Sequence, residues 1–392
     1  MRIENVIGKP VLDRNFFGRD TELEELQAIS EREHVLMLAP RRVGKTSLLR
    51  ALMKRVDEDG SAIGVYASVA AATTEPQFVQ AVLNAIYATK RGRKLKRGIV
   101  ARTLGLGRGI KSVKIASSGV DLEHPTPAWQ EDADRAFAAI FTSKTPLLIL
   151  IDELPVLVLA LSKSDPSGAR VRAFLQWFRH LRQHPAGAAT LRFILAGSIG
   201  LDNVTRRHQL TDTINDLRPW LLGPFDRPAA HEFLEQLAAS YSLVLSPELC
   251  GAICDAAEWL IPYHLQVVFG ALREQARASQ PSVELLQGVL ESLIDRRIYF
   301  SYWDERLRDS LGAPTDSLAR AMLAACARTA EGATLDAMRQ AVAALVPDAV
   351  ERAATLKWIL EVLVNDGYLV EQALRWRFRS GLLRRYWLRH VA

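Results

Sequence analysis

Apolar residues in the first half of the chain form short continuous runs separated by stretches with helical spacing. The runs lie at residues 35–38, 62–69, 147–151 and 191–195. Helical spacing covers residues 47–57, 75–89, 128–142 and 169–184. Short continuous apolar runs are typical of strands buried on both faces. Strands that alternate with helices predict an α/β domain, with a parallel sheet and helices on both faces.

The pattern changes after residue 225. From residue 228 to about residue 300 only helical periodicity is present. Three further helical stretches, at 316–329, 335–345 and 350–365, precede two short strand-like segments at 367–370 and 374–378. Three helices followed by a β-hairpin predict a winged helix. We therefore expect an α/β domain over 1–225, an all-α domain over 226–310 and a winged helix over 311–392.

Composition excludes several classes of protein. Apolar residues make up 49% of the chain and charged residues 24%, so whole-chain disorder is excluded. The most apolar stretch, 146–161, is interrupted by Asp152 and Glu153 and is too short to span a bilayer. The first residues lead into no secretory signal, and three cysteines do not make a disulfide framework. We expect a cytoplasmic protein.

The positive charge is concentrated in two segments. Residues 90–114 hold ten Lys and Arg and no acid, and residues 372–392 hold six Arg and no acid. The rest of the chain carries 34 basic and 44 acidic residues, so it is net negative. Concentrated positive charge suits phosphate backbones, but it is also found on solvated faces. The segment 90–114 is interpreted as either a nucleic-acid contact or a basic loop, the loop being favoured, and its end alternates as a hairpin would.

The strongest motif occupies residues 39–46, Ala-Pro-Arg-Arg-Val-Gly-Lys-Thr, and is named here the phosphate loop. It matches G-x-x-x-x-G-K-[ST] except that Ala39 replaces the first glycine, which requires a negative φ at Ala39. It follows an apolar run and precedes a helix, as such loops do. Backbone N–H groups would hold phosphates, Lys45 would reach the β- and γ-phosphates, and Thr46 would bind Mg²⁺.

Two further strand ends carry polar groups. The run 147–151 ends in Asp152 and Glu153, at the edge where we expect the phosphate loop. Asp152 would hold Mg²⁺ through water, and Glu153 would polarise the water that attacks the γ-phosphate. The next run ends near Ser198, which would lie close to the γ-phosphate or simply begin a turn.

These motifs together resemble the STAND/AAA+ superfamily of P-loop ATPases, most of all its archaeal-ATPase-like branch. The resemblance extends over nearly the whole chain, and residues 90–119 match least. Beyond the phosphate loop and Asp152–Glu153, it is carried by Phe17-Gly18-Arg19-Asp20, Gly197-Ser198, Leu222-Gly223-Pro224-Phe225, Pro262-Tyr263-His264-Leu265-Gln266 and Phe378-Arg379-Ser380-Gly381-Leu382-Leu383.

The resemblance implies that Gly18, Arg19 and Pro262 flank the adenine of ATP. The expected nucleotide-binding residues are therefore Gly18, Arg19, Pro40, Arg41, Arg42, Val43, Gly44, Lys45, Thr46, Ser47 and Pro262. The expected catalytic residues are Lys45, Asp152, Glu153 and Ser198, with Thr46 and Asp152 holding Mg²⁺. Arg41 and Arg42 are interpreted as contacts for the γ-phosphate, for a neighbouring subunit or for solvent. Candidates for an arginine acting on a neighbouring subunit are Arg206, Arg207 and Arg218.

Three functions remain open at this point. One is an ATP-dependent switch with low turnover that gates a protein partner in a defence or stress system, with nucleotide-dependent oligomerisation. A second is a DNA-handling ATPase of the initiator or transposition-loader type. It would contact duplex DNA through Arg375, Arg377, Arg379, Arg384 and Arg385. The third is a scaffold that keeps ATP or ADP without hydrolysing it, against which Glu153 argues.

Overall fold

The chain forms two compact units. The computed structural model describes residues 2–89, 93, 113–116, 119–122, 129–141, 146–187, 190–197, 201, 205, 206, 208–276 and 280–392. The first unit, named the sheet unit, contains residues 19–39 and 45–222. The second, named the helical unit, contains residues 1–18, 40–44 and 223–392. The boundaries of the three expected domains stay a prediction.

The sheet unit alternates strands and helices, as the apolar pattern predicts. Its elements are α1 (Asp20–Ser30), β1 (His34–Leu38), α2 (Lys45–Asp59), β2 (Ile63–Ser68), α3 (Glu75–Ala88), β3 (Val113–Ala116), β4 (Gly119–Leu122), α4 (Trp129–Phe141), β5 (Leu147–Asp152), α5 (Leu154–Ser164), α6 (Ala169–Arg182), β6 (Leu191–Gly197) and β7 (Leu217–Leu221). In the described residues the main sheet has five parallel strands in the order β2-β5-β6-β1-β7. The predicted α/β class is confirmed. β3 and β4 form a separate antiparallel hairpin.

Burial on both faces explains why the strands are continuously apolar. All six residues of β5 are buried. On one side, Phe78 of α3 packs against Phe174 and Phe178 of α6, with ring centroids 5.0 and 5.3 Å apart. The ring of Phe178 also packs against the ring of Phe193 of β6, with centroids 5.4 Å apart. This apolar core holds the strands in register and so fixes the positions of their carboxyl ends.

In the sheet order, β6 lies between β1, which precedes the phosphate loop, and β5, which ends in Asp152. β1 pairs with β6 and β7, and β5 pairs with β2 and β6. Thr46 and Asp152, which share a hydrogen bond, therefore follow two strands that are not neighbours in the sheet.

The helical unit is formed mainly by helices. They are α7 (Arg227–Ser240), α8 (Pro247–Ala257), α9 (Pro262–Gln275), α10 (Val283–Asp295), α11 (Ser301–Leu311), α12 (Thr315–Ala327), α13 (Leu335–Val342), α14 (Ala349–Asn365) and α15 (Gly381–His390). The strands are β8 (Ala333–Thr334), β9 (Leu369–Gln372) and β10 (Arg375–Phe378), in the order β8-β10-β9. Helices α12 to α14 with this antiparallel sheet confirm the winged helix. Among the described residues, no helix combines the length and apolarity needed to cross a membrane.

Candidate functional site

The carboxyl ends of the parallel strands in the sheet unit meet at one edge of the sheet. The register pairs Asp152 with Ser68 of β2 and with Ala196 of β6, and it pairs Leu38 with Gly197. Ligands of open parallel sheets bind at this edge. Lys45 and Thr46 begin α2 just beyond β1, so both belong to this edge.

Thr46 and Asp152 are brought together as the motifs predict. The hydroxyl of Thr46 donates a hydrogen bond to Oδ2 of Asp152 over 2.7 Å, although 106 residues separate them in the chain. Asp152 is 2% exposed. Its other oxygen, Oδ1, is buried and has no hydrogen-bond partner among the described residues. A buried carboxylate oxygen normally has a partner, so Oδ1 is available to a ligand.

Tyr66 is a site residue that sequence reasoning missed. It lies on β2, next to β5, and its hydroxyl donates to Oδ2 of Asp152 over 2.9 Å. Burial raises the pKa of Tyr66, and the charge of Asp152 raises it further. The guanidinium of Arg50 lies over the Tyr66 ring, 4.9 Å from its centroid. The only sequence signal was a tyrosine near the end of an apolar strand.

Lys45 is buried at the start of α2. Its Nζ donates to the carbonyl oxygen of Ala39 over 3.3 Å, across the base of the phosphate loop. The φ of Ala39 is not positive, as its Cβ requires when alanine replaces the first glycine of the motif. A lysine side chain and the N–H groups at a helix N-terminus both attract anions.

Glu153 lies at the turn between β5 and α5. Its φ is +64°, in the left-handed region that residues other than glycine seldom adopt. The turn is crowded, because Pro155 packs against the end of β6. A Cβ placed on Gly197 would lie 2.2 Å from Cδ of Pro155, so only glycine fits there.

Residues 40–44 of the phosphate loop belong to the helical unit. The guanidinium of Arg42 lies 4.6 Å from the ring centroid of Tyr263 and 4.7 Å from that of Tyr302. It also donates to the carbonyl oxygen of Gly8 over 3.1 Å. Arg42 therefore contacts two aromatic rings and one carbonyl group of its own unit. One of the rings belongs to Tyr263, which directly follows Pro262 on α9.

The remaining expected adenine residues lie in different surroundings. In the helical unit, Gly18 has φ +63°, and a Cβ on it would lie 3.4 Å from the ring of Phe225. Pro262 is the first residue of α9. In the sheet unit, the buried Arg19 forms an ion pair with Glu22. Their adenine contacts stay a prediction.

Several other expected residues can be placed or set aside. Ser198 and Arg207 lie outside the described residues, as does most of the segment 90–114. Arg206 is exposed. Arg218 pairs with Glu33 over 2.8 Å.

The arginines of the winged helix make contacts inside the helical unit. Arg377 pairs with Glu258 over 2.7 Å, and Arg379 donates to the carbonyl oxygen of Leu369 over 2.9 Å. Arg384 donates to the carbonyl oxygen of Ala327 over 3.1 Å, and Arg375 to that of Gly332 over 3.2 Å. Arg385 is half-buried on α15. Four of the five expected DNA contacts therefore hold the winged helix to itself or to the end of α8.

Comparison with solved structures finds a protein of the same fold. The Walker-type ATPase PABY2304 of Pyrococcus abyssi matches 97% of this chain over 98% of its own, with a TM-score of 0.62 and 16% identity. The chain shares the fold of that ATPase. The fold implied by the resemblance to P-loop ATPases is thereby confirmed. No family model matches the chain, and no curated protein matches its sequence.

Two other solved structures are similar over most of their length. The Aeropyrum pernix ORC2 protein, in its ADPNP–ADP complexes, matches 96% of each chain with a TM-score of 0.47 and 15% identity. The Thermotoga maritima RuvB Holliday junction branch migration motor matches 93% of each chain with a TM-score of 0.44 and 14% identity.

Proposed function

We propose that this protein binds Mg–ATP at the phosphate loop and hydrolyses it slowly, as a nucleotide-dependent switch. The observation that carries the proposal is the hydrogen bond from Thr46 to the buried carboxylate of Asp152, whose Oδ1 has no hydrogen-bond partner among the described residues. A hydroxyl and a carboxylate are the hard oxygen ligands that Mg²⁺ takes beside phosphate groups. The fold shared with a Walker-type ATPase supports the same function.

Each side chain has a defined part in this proposal. Lys45 and the N–H groups of the phosphate loop bind the phosphates, and Thr46 and Asp152 hold the metal ion. Mg²⁺, when bound, would neutralise charge on the phosphates. Glu153 accepts a proton from the attacking water. The left-handed backbone at Glu153 sets the direction in which its side chain leaves the turn.

A switch is favoured over a DNA-handling ATPase by the winged-helix arginines. Four of them already contact a carboxylate or carbonyl oxygens within the helical unit. These contacts fix each guanidinium within the helical unit and leave only its remaining N–H donors for a phosphate. The start of α14, which in DNA-binding winged helices enters the major groove, exposes Ala349, Val350 and Glu351 rather than basic residues. The winged helix is therefore proposed to contact a protein partner.

The test is Mg²⁺-dependent ATP hydrolysis by the purified chain, with and without duplex DNA. Lys45→Ala should weaken ATP binding at least tenfold, and Glu153→Gln should abolish turnover while ATP still binds. Lys54→Ala is the matched control, because Lys54 lies on the same helix and pairs with Glu58 at the surface. It should leave both binding and turnover unchanged.

The outcomes separate the three functions. Slow turnover that ignores DNA and is lost in Glu153→Gln supports the switch. Turnover stimulated many-fold by DNA would replace it with the DNA-handling ATPase. Tight nucleotide binding without any turnover in the parent chain would point to the scaffold. Equal binding by the parent and Lys45→Ala would contradict all three.

A further inference from the structure

The phosphate loop holds a bulky residue in a backbone conformation that favours glycine. Arg42 has φ +67° and Gly44 has φ +108°, whereas Val43 between them is not in the positive region. Alternation of this kind turns successive backbone N–H groups toward one point and makes an anion-binding nest. Gly44 adopts it freely, but Arg42 adopts it against the preference of its Cβ.

The side chain of Arg42 is held in place by three groups of the helical unit. Tyr263 and Tyr302 place their rings 4.6 and 4.7 Å from the guanidinium carbon, and Gly8 accepts a hydrogen bond of 3.1 Å. We name these four residues the arginine clamp. The hydroxyl of Tyr263 donates to the carbonyl oxygen of Tyr299 over 2.8 Å, which fixes its ring. A Cβ on Gly8 would lie 3.0 Å from Arg42, so the clamp is closely packed.

We infer that Arg42 is a positioning residue: the clamp offsets the cost of its left-handed backbone and so keeps the phosphate loop in its phosphate-binding form. The inference rests on the proposed function, since it assigns a role in binding nucleotide phosphates. Arg42 is half-buried, and its two cation–π contacts together are comparable in strength to the cost of one left-handed residue. Phosphate affinity then depends on two tyrosines that need not touch the nucleotide.

Substitutions at position 42 separate positioning from direct contact. Arg42→Ala loses the clamp but keeps a Cβ, so MgADP affinity should fall about tenfold. That factor equals about 1.4 kcal/mol, similar to the cost of a left-handed residue. Arg42→Gly also loses the clamp, but glycine adopts this φ freely. MgADP affinity in Arg42→Gly should return to within about threefold of the parent.

Substitutions at the rings test the other side of the clamp. Tyr302→Leu removes one ring and should weaken MgADP binding about fivefold, whereas Tyr302→Phe keeps the ring and should bind like the parent. In the Arg42→Gly background, Tyr302→Leu should cause no further loss, because no clamp remains. Titration calorimetry with MgADP gives the affinities, and thermal unfolding shows whether each variant is folded.

The result that overturns the inference differs from the one that overturns the proposed function. If Lys45→Ala loses MgADP binding while Arg42→Ala binds like the parent, the clamp has no positioning role. Equal losses in Arg42→Ala and Arg42→Gly would mean that the guanidinium itself contacts phosphate, which also overturns it. If the parent fails to bind MgADP, or Lys45→Ala binds as well as the parent, the proposed function falls and the inference with it.

Discussion

The hydroxyl of Tyr66 and the carboxylate of Asp152 share a hydrogen bond of 2.9 Å across neighbouring parallel strands. Asp152 thus has its Oδ2 held by Tyr66 and Thr46 together, and its Oδ1 left for a ligand. Groups that orient a metal ligand commonly change metal affinity or activity tenfold or more when removed. Tyr66 therefore belongs to the site although no motif includes it.

Tyr66→Phe should raise the Mg²⁺ concentration for half-maximal ATP hydrolysis by about tenfold. The ring stays in place, but Asp152 loses one of the two donors that orient it. The measurement is a Mg²⁺ titration of ATPase rate at saturating ATP. Tyr87→Phe is the control. Burial alone raises the pKa of Tyr87 to about 12, without a contribution from Asp152, so removing its hydroxyl should leave the site unchanged. Equal Mg²⁺ dependence in both variants would remove Tyr66 from the site.

Gly197→Ala should destabilise the sheet unit by about 1–3 kcal/mol, the usual cost of overpacking. The new methyl group would meet Pro155 at 2.2 Å, and proline has no flexible end that can move away. The measurement is the midpoint of thermal unfolding. Gly288→Ala is the matched control: it lies in α10 with open space around its Cα and should be neutral or slightly stabilising. A midpoint for Gly197→Ala as high as that of Gly288→Ala would contradict the close packing.

Glu153→Gly and Glu153→Ala should differ in stability although both lose hydrolysis. Both remove the carboxylate, but only glycine adopts φ +64° without cost. Glu153→Gly should therefore be about 1 kcal/mol more stable than Glu153→Ala. Denaturant unfolding of the two variants measures this difference directly. If alanine proves equally stable, the turn at Glu153 carries no strain.

The helical unit should lose stability in mild acid because of His264. Burial lowers the pKa of His264 to about 4, whereas an unfolded histidine titrates near 6.5. Between these values only the unfolded chain binds the proton, so stability falls as pH falls from 6.5 toward 4. Between pH 7 and pH 5 the loss should be about 2 kcal/mol.

The measurement is the free energy of unfolding in urea at pH 7 and pH 5, for the parent and His264→Asn. The asparagine amide can still donate to the carbonyl oxygen of Trp259, which His264 Nδ1 contacts at 3.2 Å. The variant should lose about 2 kcal/mol less than the parent over this range. His34, whose pKa burial also lowers, is present in both and cancels in the comparison. Identical losses would show that His264 does not carry the effect.

Most of the fold could be predicted because its strands are buried on both faces. β2 and α3 end within one residue of their predicted bounds, as their continuous or periodic apolar patterns require. β7 was missed because Arg218 and Pro219, both exposed, interrupt the apolar pattern, which is tolerated only at the edge of a sheet. α5 was missed because its residues 154–161 are all apolar and so continue the apolar run of β5.

The site was predictable as far as its motifs extend. Lys45, Thr46 and Asp152 stand in local patterns whose chemistry is known, so their contact could be expected. Tyr66 depends on β2 lying beside β5, and Arg42 depends on two rings more than 200 residues away in the chain. Such partners follow from strand order and tertiary packing, which single-sequence patterns do not contain.

The two units of the chain cannot be separated by a single cut in the sequence, which limits the fragments that can be expressed on their own. The backbone passes from one unit to the other four times, after residues 18, 39, 44 and 222. A fragment that stops at residue 222 would keep Phe17 but lose Phe225 and Phe233, whose rings lie 6.2 and 5.4 Å from it. The exposed ring of Phe17 would promote aggregation, and Arg42 would lose its contacts with both tyrosines. Expression of the N-terminal part alone would thus misrepresent the nucleotide affinity of the whole protein.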